Sequence, residues 1–284
     1  MDPKVLLMPV YSRGNEIERL RGALSLACFF KAHLDVLYAQ AKPSDLLGNE
    51  LFALSAPLRE RMIAIMDEEA THRKGDLQDH FATLCADYGV TVGEDAGSGK
   101  PTARWREING ARSELVALQG RVSDLVIIPH SKTGDATLTF EEAILHTGRP
   151  VLLVPRGMEA FTFRKALIGW NGGLEASRAV QHALPFLTRA ETVTIAISAD
   201  LAEQKPTGDD LAAYLGAHGV TADVRTLNDK AHAAGEALLE MGRELECDLM
   251  VTGGYSHTRL RQRILGGVTH HMLKHADIPV LMAH

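Results

Sequence analysis

Lys4-Val-Leu-Leu-Met-Pro-Val10 and Lys165-Ala-Leu-Ile-Gly-Trp170 are short apolar runs that open the same series of patterns in the two halves of the chain. Each reads as a buried first strand. A helical pattern follows in both places. Leu20, Ala23, Leu24, Ala27 and Cys28 fall on one helix face, as do Ala179, Val180, Ala183 and Leu184. Leu34 to Ala39 and Val193 to Ser198 then read as second strands. The order continues with Gly89-Val90-Thr91 and Gly219-Val220-Thr221, then with Asp124-Leu-Val-Ile-Ile128 and Asp248-Leu-Met-Val251. Arg149-Pro-Val-Leu-Leu-Val154 and Ile278-Pro-Val-Leu-Met282 read as last strands. A repeat of this length governs the whole architecture. Strands alternating with helices imply βαβ units, so the fold class is α/β, a doubly wound parallel sheet with helices on both faces.

The halves differ in two places. The first carries a long insertion after its second strand, most of it the charged helical pattern Arg59 to Leu84, which predicts a lengthened helix with a solvated face. The second has more residues between its fourth and fifth strands, and that loop carries glycines.

Composition sets the outer bounds. The chain has 284 residues, 45% of them hydrophobic, with 30 Lys and Arg against 36 Asp and Glu and a formal charge of −6. Two domains of ordinary size fit this length. No clustered basic footprint exists for a nucleic-acid backbone. No apolar run approaches the roughly 20 residues that span a bilayer. Cys28, Cys85 and Cys247 are far apart and outside C-x-x-C spacing, so neither a disulfide framework nor a thiolate zinc site is signalled. The first residues lack signal-peptide character. A cytoplasmic protein with no nucleic-acid or membrane partner is expected.

The segment Val251-Thr-Gly-Gly-Tyr-Ser-His-Thr-Arg-Leu-Arg-Gln-Arg-Ile-Leu-Gly-Gly-Val268 leaves the fourth strand of the second half with two glycines and enters a helix with two more. In open parallel sheets ligands bind beyond the carboxyl ends of strands. Gly253 and Gly254 let the backbone turn sharply and approach a ligand. Gly266, Gly267 and Val268 stand where a helix N-terminus would offer unpaired N–H groups to phosphate oxygens. Arg259, Arg261 and Arg263 add positive charge nearby. The alternative is a tight turn followed by a solvated helix.

On these residues the chain resembles the universal stress protein family in its tandem two-domain form. The resemblance implies two Rossmann-like domains, 1–157 and 163–284, joined through their last strands as an internal pseudo-dimer. The family loop G-x-x-G-x(9)-G-[ST] falls on Gly253, Ser256, Gly266 and Gly267. Ser256 replaces the second glycine and Gly267 the hydroxyl residue. The family's acidic residue after the first strand becomes Asn171, within Gly169-Trp170-Asn171; an amide keeps hydrogen-bonding capacity without the charge. The resemblance implies ATP or another adenine nucleotide in the second domain; on that expectation magnesium would bridge the phosphates, Ser198 would flank the nucleoside and His257 would be in reach of a phosphate. In the first domain Tyr11 takes the acidic position and Thr137 that of the third glycine, so no such site is expected there.

Two rivals stand beside a nucleotide-responsive stress protein: a slow ATPase using water near His257 or Ser256, and a nucleotide-free interaction module. A further homodimer is left open. Asn171-Gly-Gly-Leu-Glu-Ala-Ser177 resembles a pyrophosphatase loop only superficially and reads as a strand-to-helix turn. His271 and His275, four apart on a helix, lack a third metal ligand in sequence, and His130 and His257, in corresponding loops, each read as a solvated loop histidine.

Overall fold

The computed structural model describes residues 1–10, 16–40, 55–94, 97, 99–131, 133–227, 234–255 and 267–284. The first half runs β1 (Val5–Val10), α1 (Glu16–Phe30), β2 (His33–Gln40), α2 (Ala56–Asp87), β3 (Thr91–Val92), β4 (Thr102–Asn109), α3 (Arg112–Gln119), β5 (Leu125–Pro129), α4 (Leu138–His146) and β6 (Val151–Val154). The second runs β7 (Lys165–Trp170), α5 (Leu174–Leu187), β8 (Thr192–Ser198), α6 (Gly208–Ala217), β9 (Ala222–Leu227), α7 (Ala234–Glu244), β10 (Leu249–Gly253), α8 (Gly267–His275) and β11 (Val280–Ala283).

Among the described residues these strands form one sheet, ordered β3-β4-β2-β1-β5-β6-β11-β10-β7-β8-β9. Every pairing is parallel except β6 with β11, where Leu152 faces Leu281. The last strand of each half therefore covers the other's edge, which would otherwise present unpaired backbone groups. All four residues of each strand are buried. Helices cover both faces, as the alternating pattern requires. One core packs Leu20 and Leu24 of α1, Phe81 of α2, Phe186 of α5 and Leu215 of α6. The other packs Val116 of α3, Phe140 and Ile144 of α4, Leu238 of α7 and Met272 of α8.

The repeated Asp residues have a direct physical meaning. Asp124 Oδ2 accepts the Lys4 and Val5 backbone N–H groups at 2.7 and 3.0 Å, and Asp248 Oδ2 accepts those of Arg164 and Lys165 at 2.8 and 2.9 Å. A carboxylate before each fourth strand thus anchors the first strand's amino end by charge-assisted hydrogen bonds.

The insertion is a long helix: α2 has 32 residues where α6 has 10. The match of Gly89-Val90 to Gly219-Val220, however, marks equivalent helix ends and not equivalent strands. Both glycines have positive φ, +66° and +77°. Val90 N–H bonds the Cys85 carbonyl and Val220 N–H that of Leu215, the six-to-one closure of a Schellman cap. After its cap the second half enters β9 at once. The first half makes the two-residue edge strand β3, reverses through a segment holding Gly99 (φ +73°) and Pro101, and only then enters β4, which pairs with β2 as β9 pairs with β8.

Candidate functional site

In the second half the chain places β7, β8 and β9 in succession to one side, then crosses to lay β10 and β11 on the other side of β7. The sheet order therefore reverses between β7 and β10, and the carboxyl edge there is the crevice where open α/β sheets bind ligands. Gly169 pairs with Thr252 across this boundary, so Trp170 and Asn171 leave the sheet beside Gly253. Trp170 pairs with Ile197, which brings Ser198 to the same edge on β8. Four of the residues singled out in sequence, Gly169, Asn171, Ser198 and Gly253, thus sit on three adjacent strand ends.

Their local roles are specific. Asn171 Oδ1 accepts the Gly173 N–H at 3.0 Å, an Asx turn that starts α5 with Gly173 as its N-cap. Gly172 sits at φ +68° inside that turn. Asn171-Gly-Gly is thus a strand-to-helix turn, as its sequence predicts. Trp170 is buried, and its indole N–H donates to the Pro206 carbonyl at 2.9 Å, tying the end of β7 to the loop after β8. Gly169 is a packing glycine: a Cβ there would meet Leu238 at 3.1 Å and the Thr252 methyl at 3.2 Å. The Thr252 hydroxyl is buried beneath the edge and has no hydrogen-bond partner among the described residues.

The loop after β10 begins under tight constraint. A Cβ on Gly253 would lie 2.8 Å from the Ala176 backbone nitrogen and 3.0 Å from Glu175, so the first turn of α5 occupies the side that the missing side chain leaves open. A Cβ on Gly254 would press on Ile144 of α4, in the first half of the chain. Tyr255 follows with φ +53°, unusual for a residue with a side chain, and is buried against Phe140 with ring centroids 6.1 Å apart. Its N–H reaches the Thr269 hydroxyl at 3.4 Å, which brings the start of the loop to the first turns of α8. Gly267 opens that helix and Val268 follows it. Ser256, His257 and Gly266, with Arg259, Arg261 and Arg263, lie outside the described residues, as does Tyr11.

The first half repeats this arrangement across the pseudo-twofold. His130 corresponds to Gly254, counting from Asp124 and Asp248, and both donate their N–H to the last strand of their own half at 2.9 Å. Gly134 packs against Lys274 of α8 as Gly254 packs against Ile144 of α4. Each fourth-strand loop therefore braces the last helix of the other half. Thr137, at the third-glycine position, caps α4 by accepting the Phe140 N–H. Among the described residues no group of three or more His, Cys, Asp or Glu could hold a metal ion. His271 and His275 lie with ring centroids 4.6 Å apart and planes tilted by 39°, and His271 packs on Gly235.

His130 is not the solvated loop histidine its sequence position predicts: packed against the last helix of the other half it is 8% exposed, and its Nε2 has no hydrogen-bond partner among the described residues. Burial pushes its pKa down to about 4; the Leu273 backbone opposes this, and nearby Arg156 adds to it. The neutral ring is the folded form. Above the unfolded value of about 6.5 the group leaves stability unchanged, and as pH falls below it the unfolded chain gains a proton that the folded chain refuses. Stability should therefore decline by about 2 kcal/mol from pH 6.5 to 4. Urea titrations of His130→Gln should show a flatter decline in that window; an unchanged slope would remove His130 as its source.

Sequence reasoning missed this bracing. Tyr255 gave no signal, because its partner Phe140 is far away in the chain; the only hint was the register that aligns Gly254 with His130.

Residues 162–284 match the sequence model of the Universal stress protein family. No curated protein matches the chain. A universal stress protein from Archaeoglobus fulgidus superposes with a TM-score of 0.71 at 15% identity, covering 98% of this chain and 97% of that one. A functionally unknown protein from Pseudomonas aeruginosa gives 0.59 at 14% identity, with 98% and 92% covered. The cytoplasmic domain of a prokaryotic cation chloride cotransporter gives 0.50 at 12% identity, with 98% and 94% covered. Such identities establish the fold, on which unrelated functions are carried. Among the described residues no helix is long and apolar enough to cross a membrane. Residues 162–284 are thus similar in sequence to the universal stress protein family, in a chain whose length follows the fold of a solved universal stress protein.

Proposed function

We propose that this is a cytoplasmic stress-response protein whose second domain, 163–284, binds ATP or another adenine nucleotide at the carboxyl edge of β10, β7 and β8, while the domain 1–157 has no such site. The observation that carries this reading is the reversal of strand order between β7 and β10, with Asn171, Ser198 and Gly253 on adjacent strand ends. Backbone amides of Gly253 and of the Gly266-Gly267-Val268 segment would hold phosphates, and Gly169, Trp170, Asn171 and Ser198 would flank the nucleoside. The buried Thr252 hydroxyl, which has no partner among the described residues, fits a polar ligand nearby. Magnesium, when bound, would neutralise the phosphates.

The test is equilibrium titration of the whole chain with ATP and magnesium. Saturable binding is expected, tightened about tenfold when Ser256→Gly and Gly267→Ser restore the family loop, because glycine frees φ and serine adds a donor. Single-turnover release of phosphate would make the protein a slow ATPase. The second reading, a nucleotide-free interaction module, is favoured by the filled space beside Gly253. Absence of saturable binding at millimolar ATP, in both proteins, would establish it.

A further inference from the structure

A cavity of about 230 Å³ opens between α5 and α6, on the face of the sheet that Trp170 enters. Trp170, Ser177, Gln181, Pro206, Asp210 and Tyr214 line it. Neither Asn171, Ser198 nor Gly253 does; the cavity shares only Trp170 with the residues proposed for the nucleotide and lies behind that edge, between the two helices. Trp170 is fixed by its bond to the Pro206 carbonyl, and Tyr214 is 42% exposed with His218 packed 4.8 Å from its ring. Val180 and Leu211 add apolar wall beside these hydroxyl, carboxamide and carboxylate groups.

Charge selects the occupant. Thr207 N–H and hydroxyl donate to one Asp210 oxygen at 2.8 and 2.9 Å, and these bonds, with Lys205, hold the carboxyl below its usual range. Asp210 is thus an anion at neutral pH. Asp200, Glu203 and Asp209 are exposed close by in sequence, with Lys205 as the opposing charge on that segment and Arg178 exposed on α5. A cation gains from this field and from the indole and phenol rings that line the cavity, an attraction that an uncharged molecule of the same shape lacks. The volume suits a ligand of a few heavy atoms. From this geometry we infer that the cavity is a binding site for a small organic ammonium ion.

Choline is the probe, and 3,3-dimethyl-1-butanol is its uncharged carbon analogue. The chain has two tryptophans, so in a Trp105→Phe protein the fluorescence reports Trp170. Choline should give a saturable change at millimolar concentration and the alcohol should bind at least about tenfold more weakly. Tyr214→Ala should weaken choline about tenfold while Tyr214→Phe preserves it. Saturation-transfer NMR on the unaltered chain and on both Tyr214 variants makes the same comparison without touching a tryptophan. Equal binding of the alcohol, no saturable response to choline, or unchanged affinity in Tyr214→Ala would each overturn the assignment. None of these readouts depends on whether ATP binds.

Discussion

Gly253→Ala is expected to destabilise the chain by about 3 kcal/mol, near the upper end for overpacking by one methyl group. The obstacle is main chain: the new Cβ would sit 2.8 Å from the Ala176 nitrogen, within the first turn of α5. Relief requires that helix to move away from β10, and it packs along the sheet through Ala176, Ala179, Val180 and Ala183, all buried. Gly254→Ala makes the instructive contrast. Its Cβ would approach Ile144 Cδ1 still more closely, but that atom ends a flexible side chain and can turn aside. A cost of about 1 kcal/mol is expected there, with most of it recovered in Gly254→Ala/Ile144→Val. Urea unfolding of the four proteins measures all of this. Equal losses at the two positions would mean that α5 yields as readily as a side chain, and that Gly253 is there for the loop rather than for the helix.

That contrast shows which parts of the molecule could be read in advance. Periodicity reports which face of an element is buried, so the strands and the alternation of helices were legible. So was the tandem arrangement, because Asp124 and Asp248 recur just before the fourth strands, where each holds the backbone at the start of its half's first strand. The third strand of the first half was not, because Gly89-Val90 and Gly219-Val220 record only how a helix ends. The candidate site was legible as a position: Asn171, Ser198 and Gly253 do stand on neighbouring strand ends. What fills the space beside Gly253 was hidden, because a glycine that admits a ligand and one that admits a helix look alike in sequence. Only the packing partner distinguishes them.

The charged cluster at the amino end of β2 is the second place where a single change should be severe. Asp35 and His33 face Arg104 and Thr102 in register across β2 and β4. Arg104 donates from Nε to Asp35 Oδ1 at 2.7 Å and from Nη2 to Oδ2 at 3.1 Å, a two-pronged pair, while Arg106 reaches Oδ2 at 3.4 Å. His33 Nδ1 lies 2.7 Å from the Thr102 hydroxyl, and Nε2 lies 3.4 Å from Asp35 Oδ1. Burial alone would raise the Asp35 pKa, yet His33, Arg104 and Arg106 outweigh it and hold the carboxyl well below the usual carboxylate range. At the same register of β8 stand Thr192 and Thr194, so this cluster belongs to the first half alone. Removing one partner of a buried pair typically costs 3–5 kcal/mol, and because Arg104 is 31% exposed and can turn to water, about 3 kcal/mol is expected for Asp35→Leu at pH 7. The folded pKa is depressed, so the carboxylate's contribution is complete above the unfolded value of about 4 and is lost as pH falls toward the folded value. The stability gap between the native chain and Asp35→Leu should therefore narrow steadily below pH 4. Asp35→Leu/Arg104→Leu should recover much of the loss at pH 7, since the second change removes the stranded guanidinium. A gap that is constant with pH, with no recovery in the double variant, would assign the loss to packing of the new side chain, and the cluster would then be a tolerated charge and not a source of stability.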